Sequence, residues 1–380
     1  MKLTIDRVAL LKPLGHVQSV VERRNTIPIL SNVLLRADGT EPTGALALSA
    51  TDMDLELVER VPAQIERAGL TTAPAHTLFD IVRKLPDGAQ IEIEASGERN
   101  SMVLRCGRSI FTLACLPPED YPVMAGGELA HPFAMTAAEL KSLVDRTRFA
   151  ISTEETRYYL NGIYLHATKN DEVPVIRAVA TDGHRLARVE MVLPEGAAGM
   201  PGIIVPRKTV LELRKLVEES EAEIELALSE TKIRFAVGGA TLTSKLIDGT
   251  FPDYDRVIPT GNDKVLEVKC KDFADAVDRV STISTEKSRA VKLAIAPGAN
   301  GGSLAISATS PENGTAIEEL EVRYLNEPLE IGFNSRYLLD IASQIEGEGA
   351  QLLMSDSGSP TIVRDRADPS ALYVLMPMRV

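Results

Sequence analysis

Apolar residues follow two rhythms along the chain. Leu10, Leu14, Val17 and Val21 recur at steps of three and four, as do Phe273, Val277 and Val280, and Leu140, Val144 and Ile151 at those steps or their sums. Such spacing lines one face of a 3.6-residue helix and predicts an amphipathic helix in each region. Thr136 followed by Glu139 supplies a capping box for the second helix. Pro13 interrupts the first pattern and is expected to kink that helix or limit its first turn. Alternation dominates elsewhere, in "SMVLRCGRSIFTLACL", "KIRFAVGGATLTSKLI" and "TIVRDRADPSALYVLMPMRV", and predicts strands.

These elements come in one order three times. Residues 1–36, 131–167 and 264–296 each read as a short strand, an amphipathic helix, a polar link and an apolar strand. A strand running into a turn follows, with Ala-Thr at 50–51, 180–181 and 308–309. A second helix comes next, in "PAHTLFDIVRKLP", "VPRKTVLELRKLVEES" and "NSRYLLDIASQIEG", with Pro86 and Gly347 as expected stops and Pro206 as an expected start. Links rich in Gly, Pro and polar residues lie near 121–130 and 259–264. The reading is α+β, with three repeated domains over 1–125, 131–258 and 262–380, each of two helices packed on antiparallel sheet.

Composition narrows the function classes. A formal charge of −13 argues against binding nucleic acid through bulk charge, unless the 41 basic residues gather on one surface. No run of about 18 apolar residues occurs, and "MKLTIDRVAL" lacks a signal-peptide core, so no membrane partner and a cytoplasmic location are expected. Cys106, Cys115 and Cys270 are odd in number and lack CxxC spacing, which fits buried thiols in a reducing compartment.

"VATDGHRLARVE", residues 179–190, is the stretch with candidate chemistry. Thr181 and Asp182 recur as Thr51 and Asp52, which marks them as turn formers shared by the repeats; the third repeat has Thr309 and Ser310. His184 and Arg185 belong to the middle repeat alone. His16, His76, His131 and His166 stand singly, at no metal-ligand spacing, and no phosphate loop, GxSxG or HExxH is present. An Asp182–His184 enzyme stays open as a rival reading without support; no catalytic residue, metal or cofactor is assigned.

The three matching domains, with "RYYLNG" at 157–162, "ATDGHRLA" at 180–187, "VPRK" at 205–208, "TSKLIDGTFPDY" at 243–254 and "YVLMPMRV" at the terminus, closely resemble the bacterial sliding clamps, the β subunits of DNA polymerase III. The resemblance spans residues 1–380. It implies a non-catalytic, head-to-tail homodimer, a six-domain ring closed around double-stranded DNA, with helices lining the hole. Twelve helices about 10 Å wide give a circumference of roughly 120 Å and a hole of roughly 28 Å, enough for a duplex about 20 Å wide with a layer of water. A closed ring need not bind tightly, so a few inner cations suffice despite the negative charge. Candidates on the helices are Arg7, Lys12, Arg23, Arg24, Arg83, Lys84, Lys141, Arg146, Arg148, Arg207, Lys208, Arg214 and Lys215.

By the same resemblance, Arg24, Tyr158 and Tyr159 match positions that touch DNA, and two further such positions are changed, to His76 and Glu154. Glu154 is expected to repel phosphate. A peptide groove is implied at Leu160, Thr181, Gly183, His184, Arg185, Leu186, Pro252, Val257, Val374, Met376, Pro377, Met378 and Arg379. Its clients would be short linear motifs of the polymerase III catalytic subunit, the clamp loader, other DNA polymerases and repair proteins. Two or three apolar anchors imply micromolar affinity for an isolated peptide. Phe111 and Leu113, with Thr282 and Ile283, match the dimer interface, and Thr282 replaces an apolar residue there. The changes at His76 and Glu154 keep one alternative in play, a peptide-binding adaptor without a DNA role.

Overall fold

The structure, a computed structural model, describes every residue except 40–43, 97–99, 125, 219, 285–288, 299–300 and 380. The first repeat contains β1 (Lys2–Asp6), α1 (Arg7–Val20), β2 (Asn32–Asp38), β3 (Ala45–Thr51), β4 (Leu55–Pro62), β5 (Gln64–Arg67), β6 (Gly69–Pro74), α2 (Ala75–Lys84), β7 (Gln90–Ser96), β8 (Ser101–Cys106) and β9 (Ser109–Ala114). The second contains β10 (His131–Thr136), α3 (Ala137–Asp145), β11 (Gly162–Asn170), β12 (Val173–Thr181), β13 (Arg185–Val192), β14 (Ile203–Pro206), α4 (Arg207–Val217), β15 (Glu223–Leu228), β16 (Lys232–Val237) and β17 (Ala240–Lys245). The third contains β18 (Lys264–Lys269), α5 (Cys270–Ser281), β19 (Ala290–Gly298), β20 (Gly301–Ser310), β21 (Gly314–Val322), β22 (Leu329–Asn334), α6 (Ser335–Ala342), β23 (Gly349–Met354), β24 (Thr361–Asp365) and β25 (Ala371–Leu375).

The expected stripes are buried. Leu10, Leu14 and Val17 of α1 are fully enclosed, as are Phe273, Val277 and Val280 of α5, each burial stabilising by about 1.5 to 3 kcal/mol. Asp6 caps α1 by accepting from the Val8 amide at 2.8 Å, and Pro13 lies in the helix interior rather than its first turn. The capping box of α3 forms reciprocally, Thr136 N–H to Glu139 at 2.9 Å and Glu139 N–H to the Thr136 hydroxyl at 3.2 Å.

Two helix ends differ from expectation. α3 stops at Asp145, because the Thr147 hydroxyl donates to the Leu143 carbonyl at 2.6 Å and a short 3-10 turn over Arg148–Ala150 follows, leaving Ile151 outside the helix. α6 stops at Ala342, well before Gly347, with Ser343 and Gln344 side chains donating to the Asp340 carbonyl. Gly347 serves packing: a Cβ there would sit 2.5 Å from the Asp365 carboxylate. α2 ends at Lys84, with Leu85 as its cap before Pro86, and α4 begins directly after Pro206.

All strand pairing in the four sheets is antiparallel. The chain divides into two compact units, one of Met1–Lys141, Pro194–Pro201 and Lys208–Leu246, the other of Ser142–Leu193, Gly202–Arg207 and Ile247–Val380. In the first unit β5-β1-β7-β8-β9 form one sheet and β10-β15-β16-β17-β4-β3-β2-β6 a second. In the other unit β14-β11-β12-β13-β25-β24-β23-β18 form a sheet and β21-β20-β19-β22 a smaller one. Two joints fuse strands of successive repeats, β17 on β4 and β13 on β25. Hydrogen bonding therefore groups the strands differently from the order in which the sequence repeats. β9 and β21 are each left at the edge of a sheet.

Candidate functional site

The turn between β12 and β13 is built by two side chains. Thr181 donates to the Arg185 carbonyl at 2.7 Å and accepts from the Gly183 amide at 3.1 Å, while Asp182 accepts from the His184 and Arg185 amides at 2.9 and 3.0 Å. The turn between β3 and β4 repeats every bond: Thr51 to the Leu55 carbonyl at 2.8 Å, Met53 amide to Thr51 at 3.0 Å, and Asp54 and Leu55 amides to Asp52 at 3.0 and 2.7 Å. In the third repeat the Ser310 hydroxyl accepts from the Glu312 and Asn313 amides. Thr181 and Asp182 are thus scaffold. Gly183 has φ +87°, which suits glycine.

Arg185 is anchored by partners on several sides. Its guanidinium faces inward, pairing with Asp182 at 3.1 Å and with Asp340 of α6, donating to the Phe149 carbonyl at 2.7 Å, and lying 4.3 Å from the Tyr337 ring centre. It ties the turn to α6 and to the segment before Ile151. His184 is exposed, its ring stacked 6.3 Å from that of Tyr337, and the Met376 amide donates to its carbonyl at 2.9 Å. Among the described residues no group of three or more His, Cys, Asp or Glu side chains is placed to hold a metal.

Beside the turn, Leu160, Leu186 and Val374 are buried together with Val179, Ile204, Phe251 and Tyr254. The β13–β25 register sets Leu186 opposite Val374. Val257 and Met376 are 51% and 38% exposed, and Pro252 is exposed, so a buried apolar floor is accompanied by accessible apolar side chains. Met378 pairs with Gly332 of β22 and, with Arg379, lines a hollow of about 700 Å³ that includes Lys292, Glu330 and Ile331. Pro377 is half-buried between these positions.

Behind the floor lies a polar group unmarked in the sequence reading. The Tyr254 hydroxyl accepts from Arg177 at 2.9 Å and stands 2.9 Å from Nε2 of His166, and Arg177 pairs with the buried Glu190 at 2.8 Å. Burial, then the Arg177 charge, holds His166 below its usual pKa, and burial raises that of Tyr254. A neutral His166 can accept a hydrogen bond from the Tyr254 hydroxyl, which fixes the 3-10 turn Tyr254–Val257 that carries Val257. The repeat of Asp-Tyr at 120–121 and 253–254 was the signal available for Tyr254. Tyr337 and Asp340 had a weaker one, their spacing of three on a predicted helix.

Several expected DNA-facing groups are engaged internally. Arg7 is buried and donates to the Val82 and Arg83 carbonyls at the end of α2, besides pairing with Asp87, and Arg146 pairs with Asp368 at 2.9 Å. Lys208 binds Glu22, Asp52 at 2.6 Å and the Val20 carbonyl; burial lowers its pKa, but the two carboxylates outweigh that and raise it. Both ring nitrogens of His76 are taken, by Gln18 at 2.7 Å and the Val21 carbonyl at 3.1 Å. Arg24 and Arg207 are exposed, and Arg83 is half-exposed beside Asp80 at 2.9 Å. Tyr158 is 54% exposed and meets Tyr159 edge-on, while Tyr159 packs against the Leu160 group. Glu154 is exposed and paired with Arg157 at 3.3 Å. Phe111 and Leu113 are half-buried on the edge strand β9, Ile283 is half-buried after α5, and Thr282 is exposed there.

Family models for the DNA polymerase III beta subunit match nearly all of the chain: the N-terminal domain over 1–125, the central domain over 134–253 and the C-terminal domain over 255–379. The beta sliding clamp of Caulobacter vibrioides NA1000 is 56% identical over 380 residues, and that of Escherichia coli K12 is 41% identical over 382, each covering 100% of both chains. A sliding clamp from Bartonella birtlesii bound to griselimycin superposes with a TM-score of 0.95 at 52% identity, covering 100% of both chains. The Caulobacter crescentus clamp with PEG bound also gives 0.95, at 56% identity, covering 100% of this chain and 99% of that one. A three-part processivity fold is the class that these likenesses define. The chain belongs to the family of DNA polymerase III β subunits, the bacterial sliding clamps, and is a processivity factor rather than a catalytic subunit.

Proposed function

We propose that two copies of this chain close head to tail around duplex DNA, in the bacterial cytoplasm, and tether the polymerase III catalytic subunit and other clients to it. The observation that carries this reading is the pair of unfilled sheet edges. Successive repeats are joined where the last strand of one four-stranded set meets the third strand of another, β17 on β4 and β25 on β13. The same rule applied once more pairs β9 with β21, and both are edge strands. Exposed Arg105 and Arg108 near β9 complement exposed Glu319 and Glu321 on β21. Such a heterologous contact closes when each of six repeats turns the chain by roughly 60°. Phe111 and Leu113 take the interface role on β9, with Thr282 and Ile283 in the third domain, and the repeats 1–125, 131–258 and 262–380 are its units.

Arg24, Arg83, Arg207, Tyr158 and Tyr159 are the accessible groups proposed to meet DNA, through sequence-independent phosphate and sugar contacts. Lys208, His76 and Glu154 contribute less, since each already has an internal partner. The apolar floor at Leu160, Leu186 and Val374, with Val257, Pro252 and Met376 beside it, receives short linear motifs of the polymerase, the loader and repair proteins. Thr181, Gly183, His184 and Arg185 shape that groove. The test is primer extension on a circular template with clamp loader, ATP and polymerase. Adding the protein should lengthen the products of a single binding event at least about tenfold, and unchanged product length would sink the proposal.

A further inference from the structure

The groove proposed at the β13–β25 joint has an unassigned counterpart at the β17–β4 joint. The local frames correspond bond for bond. In the proposed groove, Leu375 pairs with Arg185 and the next amide, of Met376, donates to the His184 carbonyl at 2.9 Å. At the other joint Ser244 pairs with Leu55, and the next amide, of Lys245, donates to the Asp54 carbonyl at 2.8 Å. Lys245 thus stands where Met376 stands, Asp54 for His184, and Met53 for Gly183. The linker corresponds too: Asp120-Tyr121-Pro122-Val123-Met124 matches Asp253-Tyr254-Asp255-Arg256-Val257, and both tyrosines are buried.

A hollow of about 240 Å³ lies there, lined by Met53, Pro122, Val123, Met124, Lys232 and Lys245. It is smaller than the roughly 300 to 1,000 Å³ of small-molecule sites and suits a side chain rather than a whole ligand. Two observations mark it as more than a dent. Val123 is 78% and Met53 47% exposed. Met53 also holds φ +79°, a left-handed conformation that glycine fills in the matching turn, so a methionine is kept at a strained position with its side chain on the hollow. The lysines give the rim its chemistry, although Lys245 pairs with Asp54 at 2.9 Å.

We propose that this hollow is a second peptide site, which takes one apolar side chain of a client polypeptide flanked by an aspartate or glutamate carboxylate. The carboxylate exchanges with Asp54 for Lys245, and the flexible methionines shape themselves around the side chain. The inference rests on the clamp reading, in which clients are held by short motifs, and it gives a client already tethered at the main groove a second foothold. A single apolar anchor binds weakly, in the millimolar range for an isolated peptide, and gains effect only through tethering.

The test is methyl NMR of the full-length protein carrying 13C-methyl methionine, titrated with acetyl-Asp-Leu-Leu-amide. Ten methionines report, among them Met53 and Met124 at this hollow and Met376 and Met378 near the main groove, with each signal assigned by a Met→Leu variant. The expected result is a saturable shift at Met53 and Met124. Val123→Asp should weaken it at least about tenfold and Lys245→Glu about fivefold, with the buried Met102 signal unmoved as the check on folding. Shifts confined to Met376 and Met378 overturn this proposal and leave the groove reading standing. Shifts confined to Met53 and Met124 support it and overturn the groove. No saturable shift at either pair overturns both.

Discussion

The guanidinium of Arg185 shows how one side chain can hold a surface turn from beneath. With its side chain only 10% exposed, it joins Asp182, Asp340 and the Phe149 carbonyl, and so holds the turn that presents His184. Arg185→Met leaves Asp340 without its partner in a partly buried place, and should lower unfolding free energy by about 2 to 3 kcal/mol in urea titrations. His184→Ala should change stability by less than about 0.5 kcal/mol while weakening client-peptide binding measured by fluorescence anisotropy. Sequence picked out both residues, as the middle repeat's own additions, but could not tell an inward arginine from an outward one. That distinction comes from Asp340, 155 positions away. His166 was legible only as an isolated histidine. Tyr164 stacks on it, Tyr254 bonds to it, and the Arg177 and Asp255 charges act on it. Its lowered pKa means that the unfolded chain takes up a proton near pH 6.5 while the folded one resists it. Stability is thus present above the unfolded value and is lost as pH falls through it toward the folded one. In His166→Gln the fall in melting temperature on acidification below about pH 6.5 should be shallower; an identical profile would contradict this.

At the scale of elements, the recurring Thr-Asp turn carries the lesson. Two copies share four hydrogen bonds each, yet one places Gly183 and the other Met53 at positive φ. Gly183→Ala should therefore cost about 1 kcal/mol, and Met53→Gly should gain about 0.5 to 1 kcal/mol by relieving the left-handed strain, both read from chemical denaturation. Helices were well marked in the sequence because Leu10, Leu14 and Val17 or Phe273, Val277 and Val280 repeat the helical period. Their ends were less so. Thr147 and Ser343 decide two of them by side-chain hydrogen bonds that leave no trace in hydrophobic periodicity. Strand existence followed from alternation, but alternation is silent on partners. β4 and β17 read alike as alternating segments, and nothing in either says that they pair across about one and a half repeats.

For the whole molecule, the negative charge of −13 and a DNA-encircling role are compatible because closure, not affinity, retains a ring. Of the expected inner cations, Arg7, Arg146 and Lys208 are held by internal partners, which leaves fewer for phosphate and points to a shallow salt dependence. Two copies should have a solution mass of about 82 kDa, twice 41.1 kDa, by light scattering. Leu113→Glu sets a charge on the β9 edge against the acidic β21 and should shift the mass toward that of one chain at micromolar concentration. The central claim concerns topology, and one measurement meets it directly. Protein loaded onto nicked circular DNA is separated from free protein by gel filtration, before and after the DNA is cut once by a restriction enzyme. Retention on the circle and loss from the linear form within minutes is the predicted result; equal retention on both would contradict a ring that encircles DNA.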